Sequence, residues 1–392
     1  PCRPLPFDNP MNMNLSNLST LYRQTLLNDV LPFWLEHAVD PQYGGLMTCL
    51  DREGRVIDTD KGIWQQGRFA WLLAHLYNTV DRRTEWLDHA EHTARFLRDH
   101  AFDVDGRMFF HVTREGLPIR KRRYAFSESF AAIAFGELAR ATSKAEYADL
   151  AVRTYNIFAN HVPEPKFTAT RPLKSLGKPM IDIATCQSLR ESIGYAEADA
   201  RIDAAIEEIR RDFMKSDLRC CMENVGPRGE LVDHLDGRLL NPGHAIEAAW
   251  FILQEGRLRG SGAYVRQGLD ILDWMWERGW DAEFGGILYY RGVFGHPVSE
   301  YWQDMKFWWP QNETLIATLL AYRLTGDEKY AEWHMQLHDW YARHFVDTEY
   351  GDCFGYLSRD GRVTSPAKGN LFKGCFHYPR QLLACWRLCE ES

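Results

Sequence analysis

Two patterns of apolar and polar residues alternate along the 392-residue chain. Some segments are apolar on most sides of a helix, and each is followed by a segment with one apolar and one charged face. The mostly apolar helices are predicted at 63–76, 126–140, 180–194, 244–256, 311–324 and 377–389. The amphipathic helices are predicted at 16–37, 84–100, 144–161, 197–214, 262–278 and 328–345. The pattern therefore predicts six helical hairpins, each with one buried helix and one helix that faces water.

A turn that begins with aspartate recurs between these hairpins. It has its full form at 40–45 (DPQYGG) and 281–286 (DAEFGG), and shorter forms begin at Asp103, Asp217 and Asp347. Successive turns lie 63, 64 and 66 residues apart, and a gap of 114 residues between Asp103 and Asp217 fits two units. A sixth turn is therefore expected near residues 160–175. Self-similarity at a fixed period indicates repeated structural units, here six units that fill the chain.

Six hairpins with alternating buried and exposed helices predict an all-α (α/α)6 barrel. Short alternating runs such as 108–112 and 286–290 are expected to form β-hairpins at one mouth of the barrel. An open superhelix of hairpins would also fit the repeat. The closed form is favoured because the N-terminal helix would serve as the outer partner of the last inner helix. We expect a disordered tail over residues 1–15 and a single catalytic domain over residues 16–392.

The composition of the chain excludes some classes of partner and favours others. The net charge of −8 argues against a nucleic-acid partner, and no apolar run approaches the 18 residues that a membrane span requires. Nine cysteines scattered through apolar runs predict reduced thiols and a cytoplasmic location. The 14 tryptophans and 17 tyrosines suit sugar rings, although any one of them is more often a core residue. A small-molecule sugar is the expected partner.

The charged and imidazole side chains that could take part in a reaction occupy equivalent positions of the repeat, near the starts of the predicted inner helices. In a barrel, equivalent positions of each unit face the same end of one cavity, so these side chains should converge. The positive ends of the helices would favour an anionic intermediate there. The converging residues are Arg68, Glu128, His244, Glu247, Glu313 and His377.

Two histidines at one cavity indicate proton transfer, because imidazole titrates near neutral pH and serves as acid or base. Arg68, among aromatic residues, calls for an anionic partner such as an enolate oxygen. Each histidine also has an ordinary alternative as a packed core residue. His244 and Glu247 lack further ligands at helical spacing, so no metal site is predicted. Glu247 and Glu313 could instead be the carboxylate pair of a glycosidase.

Several long motifs resemble the N-acylglucosamine 2-epimerase family, also called renin-binding proteins. They lie at 44–45, 60–68 (DKGIWQQGR), 223–225, 238–248 (RLLNPGHAIEA), 306–310 (KFWWP), 350–351 and 373–380 (KGCFHYPR). The resemblance implies an (α/α)6 barrel that reversibly epimerises C2 of N-acetylglucosamine and N-acetylmannosamine. It implies His244 and His377 as the acid and base, Arg68 near the carbonyl, and Glu247 and Glu313 as active-site carboxylates. The expected substrate-binding residues are Trp64, Glu128, Asn241, Trp309 and Gln311.

The resemblance implies no cofactor for the chemistry itself. Some members use ATP as an activator that is not consumed, although this chain has no Walker motif. Gln311 stands where close epimerases of the family carry histidine, as glutamine often does in related disaccharide epimerases, and it leaves the substrate open. The third inner helix has no histidine, which favours the amino-sugar branch. The alternatives are an epimerase or isomerase of a neutral sugar (mannose, fructose, glucose or cellobiose), the glycosidase, and a non-catalytic binding protein. Aromatic outer helices leave a homodimer open.

Overall fold

The computed structural model of the chain describes residues 13–163 and 172–391. Its helices are α1 Leu15–Thr25, α2 Leu31–His37, α3 Ile63–Thr79, α4 Thr84–His100, α5 Phe126–Thr142, α6 Ala145–Asn160, α7 Gly177–Ile193, α8 Ala198–Glu208, α9 Pro242–Arg259, α10 Gly262–Gly279, α11 Trp308–Thr325, α12 Glu328–His344 and α13 His377–Glu390. Two π-helical segments, Leu26–Val30 and Ile209–Phe213, continue α1 into α2 and extend α8.

The strands are short, with two or three residues each. They are β1 Cys49–Leu50, β2 Val56–Asp58, β3 Lys61–Gly62, β4 His111–Val112, β5 Pro118–Arg120, β6 Lys174–Ser175, β7 Met214–Lys215, β8 Cys220–Cys221, β9 Asn224–Val225, β10 Leu239–Leu240, β11 Arg291–Gly292, β12 Lys306–Phe307, β13 Tyr356–Leu357 and β14 Val363–Ser365. A 3-10 turn, Ser216–Leu218, lies between β7 and β8.

The helices form two concentric rings, and burial separates them. Fourteen of the 18 residues of α11 are buried, whereas only six of the 17 residues of α4 are. The inner ring consists of α3, α5, α7, α9, α11 and α13. The outer ring consists of α4, α6, α8, α10, α12 and the continuous α1–α2 rod. The prediction of an all-α (α/α)6 barrel is confirmed.

Each strand that precedes an inner helix pairs with the hairpin of the following unit. The antiparallel pairs β3–β4, β6–β9, β10–β11 and β12–β13 repeat this connection around the ring. Because these strands end where inner helices begin, the hairpins lie at the mouth formed by the helix N-termini. The predicted β-hairpins are thus located at this mouth, although in the run 286–290 Ile287 forms an isolated bridge with Trp280, and strand β11 begins at Arg291.

Ion pairs between charged side chains connect neighbouring units at the aspartate turns. The Asp281 carboxylate accepts hydrogen bonds from the buried Lys306 (2.9 Å) and from two nitrogens of Arg359 (2.9 and 3.0 Å). Asp40, in the first unit, has equivalent partners, Lys61 (2.8 Å) and Arg114 (2.9 and 3.0 Å). In each case the arginine comes from the next unit, so the turn joins two units.

The last unit meets the first through the same contacts. Asp347 accepts hydrogen bonds from Arg52 (2.7 and 2.9 Å), which lies in the first hairpin, and pairs with Lys368 (2.9 Å). The backbone N–H of Lys368 donates to the carbonyl of Leu50 (3.0 Å), as a strand of the series would. The ring is therefore closed, and the open superhelix is excluded.

The predicted domain limits are only partly covered by the described residues. Residues 1–12 of the expected tail lie outside them, and α1 begins at Leu15, where Asn14 caps the helix by accepting the Asn17 N–H (3.1 Å). The expected sixth turn near 160–175 also falls largely on residues outside the described ranges. Within those ranges, no helix is long and apolar enough to cross a bilayer.

Candidate active site

The inner ring encloses a cavity of about 1040 Å³. The cavity is lined from His244, near the start of α9, to Arg257, near its end, a rise of about 20 Å along the helix. Of the predicted site residues, six line the cavity wall: Trp64, Arg68, His244, Glu247, Trp309 and His377. The indole of Trp309 contacts both imidazoles, with ring centres 4.9 Å from His244 and 5.9 Å from His377. The two predicted acid/base residues therefore share one site.

His377, the first residue of α13, is held by a buried carboxylate. Its Nδ1 lies 2.7 Å from Oε1 of Glu313, which is fully buried and also accepts the indole N–H of Trp250 (2.8 Å). A carboxylate only accepts, so Nδ1 carries the hydrogen and Nε2 keeps a lone pair. Burial, with the charges of Arg68 and Arg380, holds the pKa of His377 well below its ordinary value. His377 is therefore neutral at pH 7, as a general base must be.

Arg380 joins the two candidate carboxylates. It lies one turn after His377, and its guanidinium approaches Glu247 (2.5 Å), Glu313 (2.6 Å) and Nδ1 of His377 (3.4 Å). Glu247, Glu313 and His377 offer ligand atoms within 4.8 Å of one another, close enough for a metal ion. The guanidinium already provides the positive charge that such a cluster attracts. Sequence reasoning missed this residue, although its spacing of three from His377 was a usable signal.

His244 has a different carboxylate partner. Asn241 caps α9 by accepting the backbone N–H of His244 (3.0 Å), and the ring Nδ1 lies 3.0 and 3.1 Å from the two oxygens of Glu223. Burial lowers the pKa of His244, but Glu223 more than offsets this, and the net pKa is raised. Glu223 lies in a loop before β9. Its motif was visible in the sequence, but nothing there indicated that it reaches His244.

Arg68 is a buried cation that faces the cavity. Its guanidinium lies against the rings of Phe130 (4.1 Å), Trp64 (4.6 Å) and Phe376 (4.8 Å). Burial and the charge of Arg380 lower its pKa to about 9, so it remains charged at neutral pH. Its Nε is buried and has no hydrogen-bond partner among the described residues. Such a cation is suited to an oxyanion on a bound ligand.

Three of the predicted substrate-binding residues lie outside the cavity lining, and their placement requires a correction. The amide of Gln311 bonds to both the N–H (2.7 Å) and the carbonyl (2.8 Å) of Ile287. Glu128 accepts from the Met108 N–H (2.9 Å) and pairs with Arg107, and Asn241 caps α9. These polar groups serve the backbone of turns and helix ends. We therefore assign Gln311, Glu128 and Asn241 to the fold.

Trp64 and Trp309 differ from those three because their rings form part of the cavity wall. The indole N–H of Trp64 donates to the carbonyl of Leu371 (2.5 Å), which leaves the ring as an apolar surface. Glu313 lies directly behind His377, and Glu247, one turn after His244 on α9, lines the cavity. The site thus combines two imidazoles, three carboxylates, two guanidiniums and aromatic walls.

Comparison with known proteins gives the family. The family model described as N-acylglucosamine 2-epimerase (GlcNAc 2-epimerase) matches residues 45–373. The N-acylglucosamine 2-epimerase of Homo sapiens is 35% identical over 93% of this chain and 88% of its own length. That of Rattus norvegicus is 34% identical over 93% and 89%. The chain belongs to the N-acylglucosamine 2-epimerase family.

A solved structure supports the fold independently. The cellobiose 2-epimerase from Bacillus thermoamylovorans B4167 superposes with a TM-score of 0.83 at 20% identity. The match covers 95% of this chain and 99% of that one. At this identity the similarity concerns the architecture, which agrees with the barrel predicted from the repeat.

Proposed function

We propose that this protein reversibly epimerises C2 of N-acetylglucosamine and N-acetylmannosamine. The observation that carries the proposal is the pair of histidines on one cavity, each with its own carboxylate, beside the buried Arg68, which has no ion-pair partner among the described residues. The relatives at about 35% identity carry the name of this activity. The protein is accordingly an isomerase, and its partner is a small sugar.

The chemistry follows from the acidity of C2 in the open-chain sugar, where the C1 carbonyl is adjacent. One imidazole removes the C2 proton, the C2–H electron pair forms the C1–C2 double bond, and the carbonyl electrons move to O1. Arg68 is proposed to stabilise the negative O1. The planar enolate then receives a proton at C2 from the imidazolium on the opposite face, which inverts the centre. The two steps balance in atoms and electrons and leave one proton on the histidine pair.

The carboxylates have supporting tasks in this proposal. Glu313 fixes the tautomer of His377, so that Nε2 is the nitrogen available to the substrate. Glu247 faces the cavity and shares Arg380 with Glu313, which holds both carboxylates in place. The aromatic walls formed by Trp64 and Trp309 suit the C–H faces of a sugar.

Gln311 bears less on the choice of sugar than its sequence position suggested. Since its amide holds the backbone of Ile287, its identity reflects the turn and not the ligand. A neutral sugar such as mannose or cellobiose is the alternative substrate. The absence of histidine from α7, whose cavity face has Met180, Ile181 and Ala184, continues to favour the amino sugar.

The glycosidase alternative conflicts with the geometry. A glycosidase needs one carboxyl group free to donate a proton to the leaving oxygen. Glu313 is fully buried and bound to His377, Trp250 and Arg380, and Glu247 is paired with the same arginine. Neither group is a free acid, so we do not propose hydrolysis.

The proposal is tested by incubating the purified protein with N-acetylglucosamine, N-acetylmannosamine, mannose and cellobiose, and separating the products by chromatography. We expect the two N-acetyl sugars to reach the same mixture from either side. His75→Asn is a matched control, because His75 is paired with Glu137 (2.8 Å) at the far end of the cavity. Turnover of mannose or cellobiose without turnover of the amino sugars would replace the proposed substrate.

A further inference from the structure

We infer that Glu223 is a positioning residue that keeps the resting proton of the histidine pair on His244. In the free protein His244 is then the acid and His377 the base. The inference rests on the proposed epimerisation and adds to it, because a two-histidine mechanism does not by itself say where the single proton resides. Glu223, the residue that holds the proton on His244, lies outside the inner helices.

The geometry around Glu223 is that of a dedicated partner. Its backbone is fixed on both sides, since its N–H donates to the Leu239 carbonyl (3.0 Å) and its carbonyl accepts from the Leu176 N–H (2.9 Å). Glu223 as a residue is 8% exposed, and both of its carboxylate oxygens lie within 3.1 Å of His244 Nδ1. Within the described residues, no lysine or arginine forms an ion pair with Glu223. In the part of the chain that the structure describes, His244 is therefore the one ion-pair partner of Glu223.

The charges around His377 have the opposite effect, because cations outweigh its carboxylate partner. Its carboxylate partner, Glu313, shares its charge with Arg380, and Arg68 on α3 adds a second cation. The charged and titratable groups that act on His377 are Arg68, Arg380, Glu247, Glu313 and His244. Those that act on His244 are Glu223 and Glu247, with His377 across the site. Two guanidiniums thus disfavour a proton on His377, whereas carboxylates favour one on His244.

This asymmetry determines the pH profile of the enzyme. The active form has one proton on the pair, so the alkaline limb reports its loss from His244 and the acid limb reports a second proton on His377. The pKa directions of the two histidines place these limbs far apart, with a broad plateau between them. Both sugars are uncharged, and their equilibrium does not depend on pH. The limbs of kcat/KM must therefore coincide in the two directions.

The substitution Glu223→Gln distinguishes the effect of the negative charge on His244 from the effect of the hydrogen bond that positions its ring. An amide oxygen can still accept the Nδ1–H of His244, but the negative charge is gone. We expect the alkaline limb of kcat/KM to move down by about one to three pH units, equally in both directions, with KM little changed on the plateau. Glu137→Gln, in the His75–Glu137 pair at the far end of the cavity, should leave the limbs in place. An unmoved alkaline limb in Glu223→Gln would overturn the inference, because a merely structural role would lower activity at every pH.

A second measurement does not depend on catalysis or on the variant's stability. Nitrogen-15 spectra of histidine-labelled wild-type protein, assigned with His244→Gln and His377→Gln, report the protonation of each ring. At pH 7 we expect a cationic His244 and a neutral His377 with a bare Nε2. A neutral His244 or a cationic His377 would overturn the inference. Failure to turn over any sugar would instead contradict the proposed function, and the ring spectra would still decide where the proton resides.

Discussion

At the residue scale, Arg68 shows how function and stability oppose each other. A buried guanidinium without an anionic partner is costly, since aromatic faces replace only part of its hydration. The structure surrounds it with Trp64, Phe130 and Phe376 and gives its Nε no hydrogen bond among the described residues. The cost is understandable if the charge is used when O1 of the substrate becomes negative.

Arg68→Gln should therefore change activity and stability in opposite directions. We expect kcat/KM to fall by about 10²–10³-fold in both directions, because the enolate is common to both. The free energy of unfolding, measured with urea, should stay the same or rise, because an unpaired buried charge is removed. A variant that is fully active but less stable would show that Arg68 supports the fold and not the enolate.

The two histidines provide a second test at this scale. His244→Ala and His377→Ala should each abolish net epimerisation, with a loss of about 10²–10⁴-fold or more. Each variant should still exchange the C2 proton of the one epimer whose C–H faces the remaining imidazole. Proton NMR of each sugar in deuterium oxide measures this exchange. Full epimerisation by either variant would contradict the assignment of two separate bases.

The sequence revealed only part of this residue-level picture. Arg68, His244 and His377 could be found because they share the phase of the repeat on apolar helices. Glu223 could not, since it lies in a loop whose distance from His244 depends on how β9 packs. Arg380 was overlooked because a basic residue three positions after a histidine is also common on exposed helices.

At the element scale, the fourth residue of α3 and of α11 is a glutamine that faces the preceding turn. Gln66 bonds to the N–H (2.8 Å) and carbonyl (2.9 Å) of Leu46, as Gln311 does to Ile287. Both turns contain a Gly-Gly pair in left-handed conformation, and a Cβ on Gly286 would lie 2.7 Å from the Trp340 ring. The phase of the repeat brought Gln311 near the mouth, but only the structure shows that it points to the turn.

Gln311→Leu should accordingly act on stability. It leaves the buried N–H and carbonyl of Ile287 without partners, and each such group costs about 1–3 kcal/mol. We expect urea unfolding to show a loss of about 2 kcal/mol or more, with KM for the sugar unchanged. Gln66→Leu should behave in the same way at the equivalent position. A raised KM with unchanged stability would return Gln311 to the binding site.

At the scale of the whole molecule, ring closure depends on contacts far apart in sequence. Arg52 and Asp347 join the first and last units, and the α1–α2 rod packs beside α13. The period of the turns predicted six units, and the N-terminal helix, as the outer partner of the last inner helix, favoured a closed barrel over an open superhelix. It could not predict the Asp–Lys–Arg clusters, because their members are separated by up to 295 residues.

Arg52→Gln tests closure, and Arg55→Gln is its control, because Arg55 lies in the same hairpin and pairs with nearby Glu53. We expect Arg52→Gln to lower the free energy of unfolding at pH 7, because Arg52 pairs with the buried Asp347 of the last unit, and the control to change it little. Equal effects of the two substitutions, measured with urea, would contradict a closing role for Arg52.

The same pair predicts a pH dependence. Burial would raise the pKa of Asp347, but Arg52 and Lys368 more than offset this, and the net pKa lies below its usual range. A depressed folded pKa stabilises the protein above the unfolded value, near 3.9, and the contribution is lost as pH falls through the folded pKa. The difference between wild type and Arg52→Gln should therefore be constant from pH 7 to about 4 and shrink below it. A difference that grows in acid would contradict this.

Proton NMR of wild-type protein with N-acetylglucosamine in deuterium oxide is the decisive measurement of epimerisation by two histidines on one cavity. If one histidine removes the C2 proton and the other returns a proton from solvent, the first N-acetylmannosamine formed carries deuterium at C2, while the remaining N-acetylglucosamine is still protonated there. Formation of N-acetylmannosamine that retains the original proton at C2, or no exchange at C2 in either sugar, would contradict this mechanism.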